Sequence, residues 1–207
     1  MTSAFLAVEG PNGVGKTTIA IRLATQLQVR TGRPVHLTSE PTDTPLGWLL
    51  RRSESVLQGR ALALALAADR AAHVEVEIIP ALDDGRHVVT DRYVQSSLVL
   101  QCLDGLDLRE VWSYNRYVLP ATTFYLEDDP NVIAGRLARR PALTRLELTG
   151  TPTKELELYR KAFAFLRRQD WQQHAIDCRG KDPDHVVADI LDRLDPSNLA
   201  GALCCPC

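Results

Sequence analysis

Short apolar runs alternate with helix-length stretches along the whole chain. Phe5-Leu-Ala-Val8 leads into a glycine-rich turn, and helix-forming residues follow from Ile19 to Leu27. After the turn Thr31-Gly-Arg-Pro34, Val35-His-Leu-Thr-Ser39 reads as a second strand closed by Glu40-Pro41. Leu46 to Leu57 has helical periodicity. From about Gly59 toward Leu82 an alanine- and leucine-rich helix is expected, ended by Asp83-Asp-Gly85. It is apolar nearly all round until Asp69, which predicts burial between other elements.

The second half repeats the alternation. His87-Val-Val-Thr90 is a strand ending in Asp91-Arg92-Tyr93, with helices through Val99 and Trp112. Thr123-Phe-Tyr-Leu126 is a strand closed by Glu127-Asp-Asp-Pro130, and Pro130 suits the first turn of a helix from Asn131 to Ala138. The arginine-rich segment up to Gly150 has poor periodicity and reads as a loop. Thr153 to Trp171 is helical, His174-Ala-Ile-Asp177 is the last strand and Asp182 to Leu194 the last helix. This order predicts an α/β fold: a mainly parallel sheet of about five strands flanked by helices on both faces. Residues 1–195 are expected to form one domain with a mobile arginine-rich lid at about 139–150, and 196–207 a tail.

The glycine-rich turn changes the picture from architecture to chemistry. Gly10-Pro-Asn-Gly-Val-Gly15-Lys16-Thr17 satisfies G-x-x-x-x-G-K-[ST] between a strand and a helix. Glycines let backbone N–H groups turn inward toward phosphate oxygens. Lys16 adds a point charge for the β- and γ-phosphates, Thr17 a hydroxyl for magnesium, and the next helix a positive N-terminal end. The sequence therefore predicts a phosphate-binding loop on a P-loop NTPase-type sheet, with Gly10, Asn12, Gly13, Val14, Gly15, Lys16, Thr17 and Thr18 around the phosphates.

Composition narrows the rest. The 207 residues are 45% hydrophobic and 24% charged, with a net charge of −2, which argues against a general nucleic-acid or membrane surface. No signal-peptide pattern precedes the first strand and no apolar run is long enough to span a bilayer. Five cysteines, at 102, 178, 204, 205 and 207, make no disulfide framework and predict reduced thiols in a cytoplasmic protein. Cys102 and Cys178 read as core, and Cys204-Cys-Pro-Cys207 as a tail without partner ligands.

Phosphoryl transfer asks for positioning and charge neutralisation. Asp91, at the end of a strand, suits magnesium or the acceptor, with helix capping as its plainer role. Arg92, Arg70 and Arg51 are candidate acceptor-side cations. Arg136, Arg139, Arg140 and Arg145 fall together, and a closing loop that brings arginine to the transferring group supplies about 10³–10⁵ in rate. Glu9 reads as flanking the loop and His73 as a packed helix residue.

These residues resemble the thymidylate kinases, which convert thymidylate to its diphosphate with ATP and magnesium. The resemblance runs from Phe5 to about Leu194. It rests on FLAVEGPNGVGKTT, Glu40-Pro41 with Thr44-Pro-Leu-Gly47 and Arg51, Ala67-Ala-Asp-Arg70, and Ile79-Pro-Ala-Leu82. It continues through Asp91-Arg-Tyr-Val, Ser96-Ser97, Gln101, Phe124-Tyr-Leu126 and Arg139-Arg140 to Arg145-Leu-Glu147. A phosphate loop without arginine and a later loop with several look like the bacterial type. The resemblance implies that Lys16 and Thr17 bind ATP phosphates and magnesium, that Asp91 works at metal and acceptor, and that Arg51, Arg70 and Arg92 grip the monophosphate. It places Glu40 beside Asp91, Leu66, Ser97, Leu100 and Gln101 in the acceptor pocket, Arg140 and Arg145 in the lid, and implies a homodimer through the helices between strands.

The chain departs from the family pattern around the acceptor. Asn12 replaces an aspartate of the phosphate loop, Leu66 an aromatic ring that stacks on thymine, and Leu100 the ring under the deoxyribose. Gln95 and Ala121 replace aspartates. Losing a stacked ring forfeits about 0.5–1.5 kcal/mol beyond area. These departures predict a changed or broadened acceptor preference. Two alternatives remain open at this point: a kinase of the same fold acting on a nucleoside or other small metabolite, and a nucleotide-binding regulator without transfer activity.

Overall fold

A computed structural model describes residues 3–53 and 56–194; the tail from Cys204 to Cys207 lies outside them. Five strands, β1 (Phe5–Glu9), β2 (Val35–Ser39), β3 (His87–Asp91), β4 (Thr122–Glu127) and β5 (Gln173–Asp177), form one sheet in the order β2-β3-β1-β4-β5. Every neighbouring pair is parallel. Because β1 has a partner on each side, its run of five buried residues is apolar up to Val8 with no polar alternation.

Parallel pairing gathers the carboxyl ends of all strands on one edge. Four strands end in an acid: Glu9, Asp91, Glu127 and Asp177 close them, and Glu40 follows Ser39. The phosphate loop leaves β1 at this edge and enters α1 (Lys16–Thr31), whose Ile19, Leu23 and Leu27 are buried at helical spacing.

Two further helices, α2 (Pro45–Ser53) and α3 (Gly59–His73), follow β2. The predicted Leu46–Leu57 helix is thus shorter at its carboxyl end. The predicted long helix is interrupted: Val74–Ile78 is a π-helical turn and α4 (Ile79–Asp83) completes it. Pro80 explains the break, because it has no N–H to give the carbonyl four residues back. All-round burial of α3 is not found. Leu62 and Ala63 are buried but Leu64 is 48% exposed, so the helix has an outer apolar face in the single chain.

The remaining helices are α5 (Val94–Leu103), α6 (Leu108–Asn115), α7 (Pro130–Leu137), α8 (Arg145–Thr149), α9 (Pro152–Arg167) and α10 (Pro183–Arg193). One group packs α1 with α10, and another packs α5 with α3, α6 and α9. The arginine-rich segment is not loop throughout. Thr144 and Glu147 form a reciprocal capping box that starts α8, a local signal too short to show as periodicity. Cys178 is buried as expected, whereas Cys102 is half-buried.

The tightest backbone approach beside the site is at Gly47 on α2, where a Cβ would stand 1.9 Å from the Thr42 carbonyl oxygen. Thr42 in turn is held by Asp69, which accepts from its backbone N–H at 2.8 Å and its hydroxyl at 2.6 Å. Gly47→Ala is therefore expected to push α2 off this loop and cost about 1–3 kcal/mol. Thermal unfolding followed by circular dichroism checks it; an unchanged Tm would mean that the Thr42 turn yields freely.

Candidate active site

The phosphate loop spans the end of β1 and the start of α1. Gly10, Gly13 and Gly15 all take positive φ (148°, 82° and 109°). At Gly10 a Cβ would also meet the Leu126 carbonyl oxygen of β4 at 2.8 Å, so the turn admits no larger residue. Lys16 is buried, and its Nζ donates to the carbonyls of Gly10 and Pro11, each at 2.8 Å. Burial draws its ammonium down to about 7; the Arg92 charge adds to this, and Asp91, Glu9 and Glu155 oppose it. Thr17 and Thr18 are on the first turn of α1, with Thr17 exposed. The Thr17 hydroxyl donates to Asp91 Oδ2 at 2.5 Å. Asp91 Oδ1 is buried with no hydrogen-bond partner among the described residues. Asp91 does not cap α5, whose N-cap residue is Tyr93 and has no side-chain cap.

Behind the loop, Glu9 does more than flank it. Its side chain is fully buried, with Oε1 accepting from the backbone N–H groups of Tyr93 (2.7 Å) and Ser96 (3.0 Å) and Oε2 from the Ser96 hydroxyl (2.6 Å). Burial pushes the Glu9 carboxyl up, opposed by the Ser96 bonds and the Arg92 charge. This carboxylate fixes the corner between β3 and α5, where Arg92 takes φ 78° and donates its own N–H to the Val8 carbonyl at 3.1 Å. The Arg92 guanidinium donates to Asn12 Oδ1 at 2.5 Å and Ser96 Oγ at 3.1 Å.

Two clefts meet at Arg92. The larger, of ≈ 300 Å³, is lined by Asn12, Glu40, Arg51, Leu66, Asp91, Arg92 and Leu100, with Thr144, Leu146 and Glu147 closing it. A narrow branch of ≈ 40 Å³ shares Glu40, Leu66, Arg92 and Leu100 with it and adds Arg70, Ser97 and Gln101. Arg70 is buried and largely saturated. It donates to Glu40 Oε2 (2.7 Å), Ser97 Oγ (2.9 Å), the Tyr93 carbonyl (3.0 Å) and Asn115 Oδ1. It thus lines the narrow branch and not the cleft beside Asp91, which Arg51 and Arg92 share. His73, packed as expected, joins this network through Glu40 Oε1 at 3.1 Å and Thr38 Oγ1 at 2.8 Å. Gln101 is fully buried, and neither end of its amide has a partner among the described residues. Gln95 and Ala121 are not part of these clefts: Gln95 donates to Gln173 on β5 at 3.1 Å, and Ala121 is in the core.

The lid arginines are held by carboxylates of the chain itself. Arg140 pairs with Glu147, and Arg145 makes a two-point contact with Asp104 at 2.6 and 2.8 Å. Arg136 on α7, outside the expected lid, also reaches the phosphate loop, donating to the Val14 carbonyl at 3.1 Å and to Asp128 at 2.9 Å.

A family model for thymidylate kinase matches residues 8–190. The chain belongs to the thymidylate kinase family. A probable thymidylate kinase of Pyrococcus horikoshii is 41% identical over 78% of this chain and 80% of its own length. One from Caldivirga maquilingensis is 34% identical over 92% and 93%, and the thymidylate kinase of Bifidobacterium longum 40% over 73% and 78%. The solved thymidylate kinase of Candida albicans superposes with a TM-score of 0.74 at 18% identity, covering 96% of this chain and 93% of that one, which supports the fold.

This thymidylate kinase family member is therefore a nucleoside-monophosphate kinase, and its cation cluster is built on a carboxylate that sequence reasoning leaves merely beside the loop. A signal for Glu9 is available: an acid ending a strand buried on both sides cannot stay unpaired. Glu9→Gln places an amide N–H where a donor must be accepted, with an expected cost of about 1–3 kcal/mol and a fall in turnover as the Arg92 corner loosens. Paired measurements of Tm and kcat check this. Loss of neither would mean that the corner holds without the carboxylate.

Proposed function

We propose that the enzyme transfers the γ-phosphoryl group of ATP, with magnesium, to thymidylate, giving the diphosphate. The observation that carries this reading is the meeting of the two clefts at Arg92, one lined by Asn12 of the phosphate loop and by Asp91, which accepts from Thr17, the other ending in the Gln101 amide that has no partner among the described residues. A primary amide both donates and accepts, which matches the N3–H and carbonyl edge of a thymine or uracil base. Leu66 and Leu100 supply apolar walls in the same branch.

The donor side follows from the loop. Backbone N–H groups at the start of α1 and the Lys16 ammonium suit the ATP phosphates, with Gly10, Asn12, Gly13, Val14, Gly15 and Thr18 shaping the cradle. Thr17 Oγ and the partnerless Asp91 Oδ1 are the hard oxygen donors that fit magnesium, which when bound neutralises charge on the phosphates. Arg92 and Arg51 align the acceptor phosphate. Arg70, with four contacts inside the protein, acts on the base side through Glu40 and Ser97 and not as a phosphate grip. Arg140 and Arg145 serve the transferring group only after leaving Glu147 and Asp104, and Arg136 joins them as a cation already at the loop. A nucleoside acceptor is not favoured, because Arg51 and Arg92 would then face no phosphate. The reading includes a cytoplasmic location and a homodimer, the latter supported by exposed Leu64 on α3, Val76 on the π-helical turn and Ile79 on α4. No helix among the described residues is long and apolar enough to cross a membrane.

A coupled ADP-release assay across all nucleoside monophosphates and the matching nucleosides tests the acceptor. Turnover of thymidylate is expected, with other pyrimidine monophosphates tolerated where Leu66 and Leu100 replace aromatic rings. Activity confined to unphosphorylated compounds would overturn the reading.

Lys16 gives a second expectation. A lysine drawn down to about 7 is largely neutral near pH 8, and a polyphosphate set against it favours the charged form, so ATP binding takes up a proton there. Titration calorimetry in two buffers of different ionisation enthalpy reads this uptake, and Lys16→Met is expected to abolish it. Equal heats in both buffers would contradict it.

A further inference from the structure

Glu155 is a buried charge, 1% exposed, in the first turn of α9, directly after the lid segment. Its Oε2 accepts from the Asn12 backbone N–H at 2.7 Å and its Oε1 from Asn12 Nδ2 at 3.2 Å. The carbonyl end of the same amide accepts from Arg92 at 2.5 Å. A carboxylate only accepts and a guanidinium only donates, so the residue between them must donate at one end and accept at the other. An amide does this and a carboxylate does not.

We propose that Glu155 is a positioning residue for phosphoryl transfer, orienting the Arg92 guanidinium toward the acceptor phosphate through Asn12. The proposal rests on the reading of Arg92 as an acceptor-side cation. Glu155 does not line either cleft; its hydrogen bonds toward the site run through Asn12, beside the direct effect of its charge on Lys16 and Arg92. These bonds tie α9 to the phosphate loop, and the end of the lid segment also approaches Glu155: a Cβ at Gly150 would lie 3.2 Å from Glu155 Oε1. The charged and titratable groups facing Glu155 are Lys16 and Arg92, which offset it, and Tyr159 on its own helix. Glu9 and Asp91 face the same cations from β1 and β3.

Three variants test this: Asn12→Asp, Glu155→Gln, and the two combined. Asn12→Asp restores the aspartate of the family pattern but, in this chain, sets it against the Glu155 carboxylate. They share a proton at low pH and repel once both ionise, so kcat/KM for thymidylate is expected to fall on the order of tenfold relative to the unmodified enzyme between about pH 5 and 8. The combined variant restores one donor and one acceptor along the line, the new amide at position 155 donating to the new carboxylate at position 12, and the extra pH dependence should vanish. Glu155→Gln alone keeps one of two bonds and should raise KM for thymidylate more than KM for ATP. An Asn12→Asp profile parallel to that of the unmodified enzyme, or a combined variant no better than Asn12→Asp, would overturn the positioning role. An unmodified enzyme that phosphorylates no monophosphate would instead overturn the functional reading.

Discussion

The Glu9 carboxylate, buried at the end of the central strand, is the contact on which the site depends. It accepts two backbone N–H groups and a hydroxyl from the β3–α5 corner, and so fixes the donor loop and the acceptor arginine in one frame. Burying a carboxylate is costly unless its lone pairs are filled, and here they are. The left-handed backbone at Arg92 persists because the corner is held from both sides, by Glu9 below and the Val8 carbonyl beside it.

Around this frame the charges alternate. Lys16, Arg92 and Arg70 are each surrounded by carboxylates or carbonyls of the chain, and Glu9, Glu40 and Glu155 by donors. Cations held by internal partners lose less freedom on meeting a substrate phosphate, and the field they produce is set before binding. The lid differs. Its arginines are paired with carboxylates, Arg140 with Glu147 at the edge of the acceptor cleft and Arg145 with Asp104 beyond the end of α5, so closing on the transferring group involves exchange of one anionic partner for another.

Much of this is legible in the sequence because it is written in local patterns. All five strands, the glycine-rich loop and the nearness of Thr17 to Asp91 follow from apolar runs, a motif and an acid at a strand end. What escapes is carried by long-range pairing. Glu9 and Ser96 are 87 positions apart, and Asn12 and Glu155 are 143 apart, so neither pair leaves a periodicity. Gln95 directly precedes Ser96, which suggests the acceptor pocket, but its side chain reaches Gln173 on β5 instead. Composition groups Arg136, Arg139, Arg140 and Arg145, and the family resemblance picks out Arg140 and Arg145, whereas of these four Arg136 is the one that hydrogen-bonds the loop. The broken helix at Val74–Ile78 needs one further inference from Pro80, and α8 needs only its Thr144–Glu147 cap.

The five acids at the carboxyl ends of the strands bear on selectivity. Two polyanions are expected to dock along an edge whose own residues are acidic, so a phosphate is attracted only where a cation stands free of those acids, at Lys16, Arg92 and Arg51. Glu127 and Asp177 are answered by Arg160 and Arg179 within the chain, which leaves no general excess of positive charge there. The edge works as a stencil: the acids cancel the chain's other cations and leave positive charge only at a few gaps, so anions are admitted at those places alone, which a uniformly basic surface could not achieve.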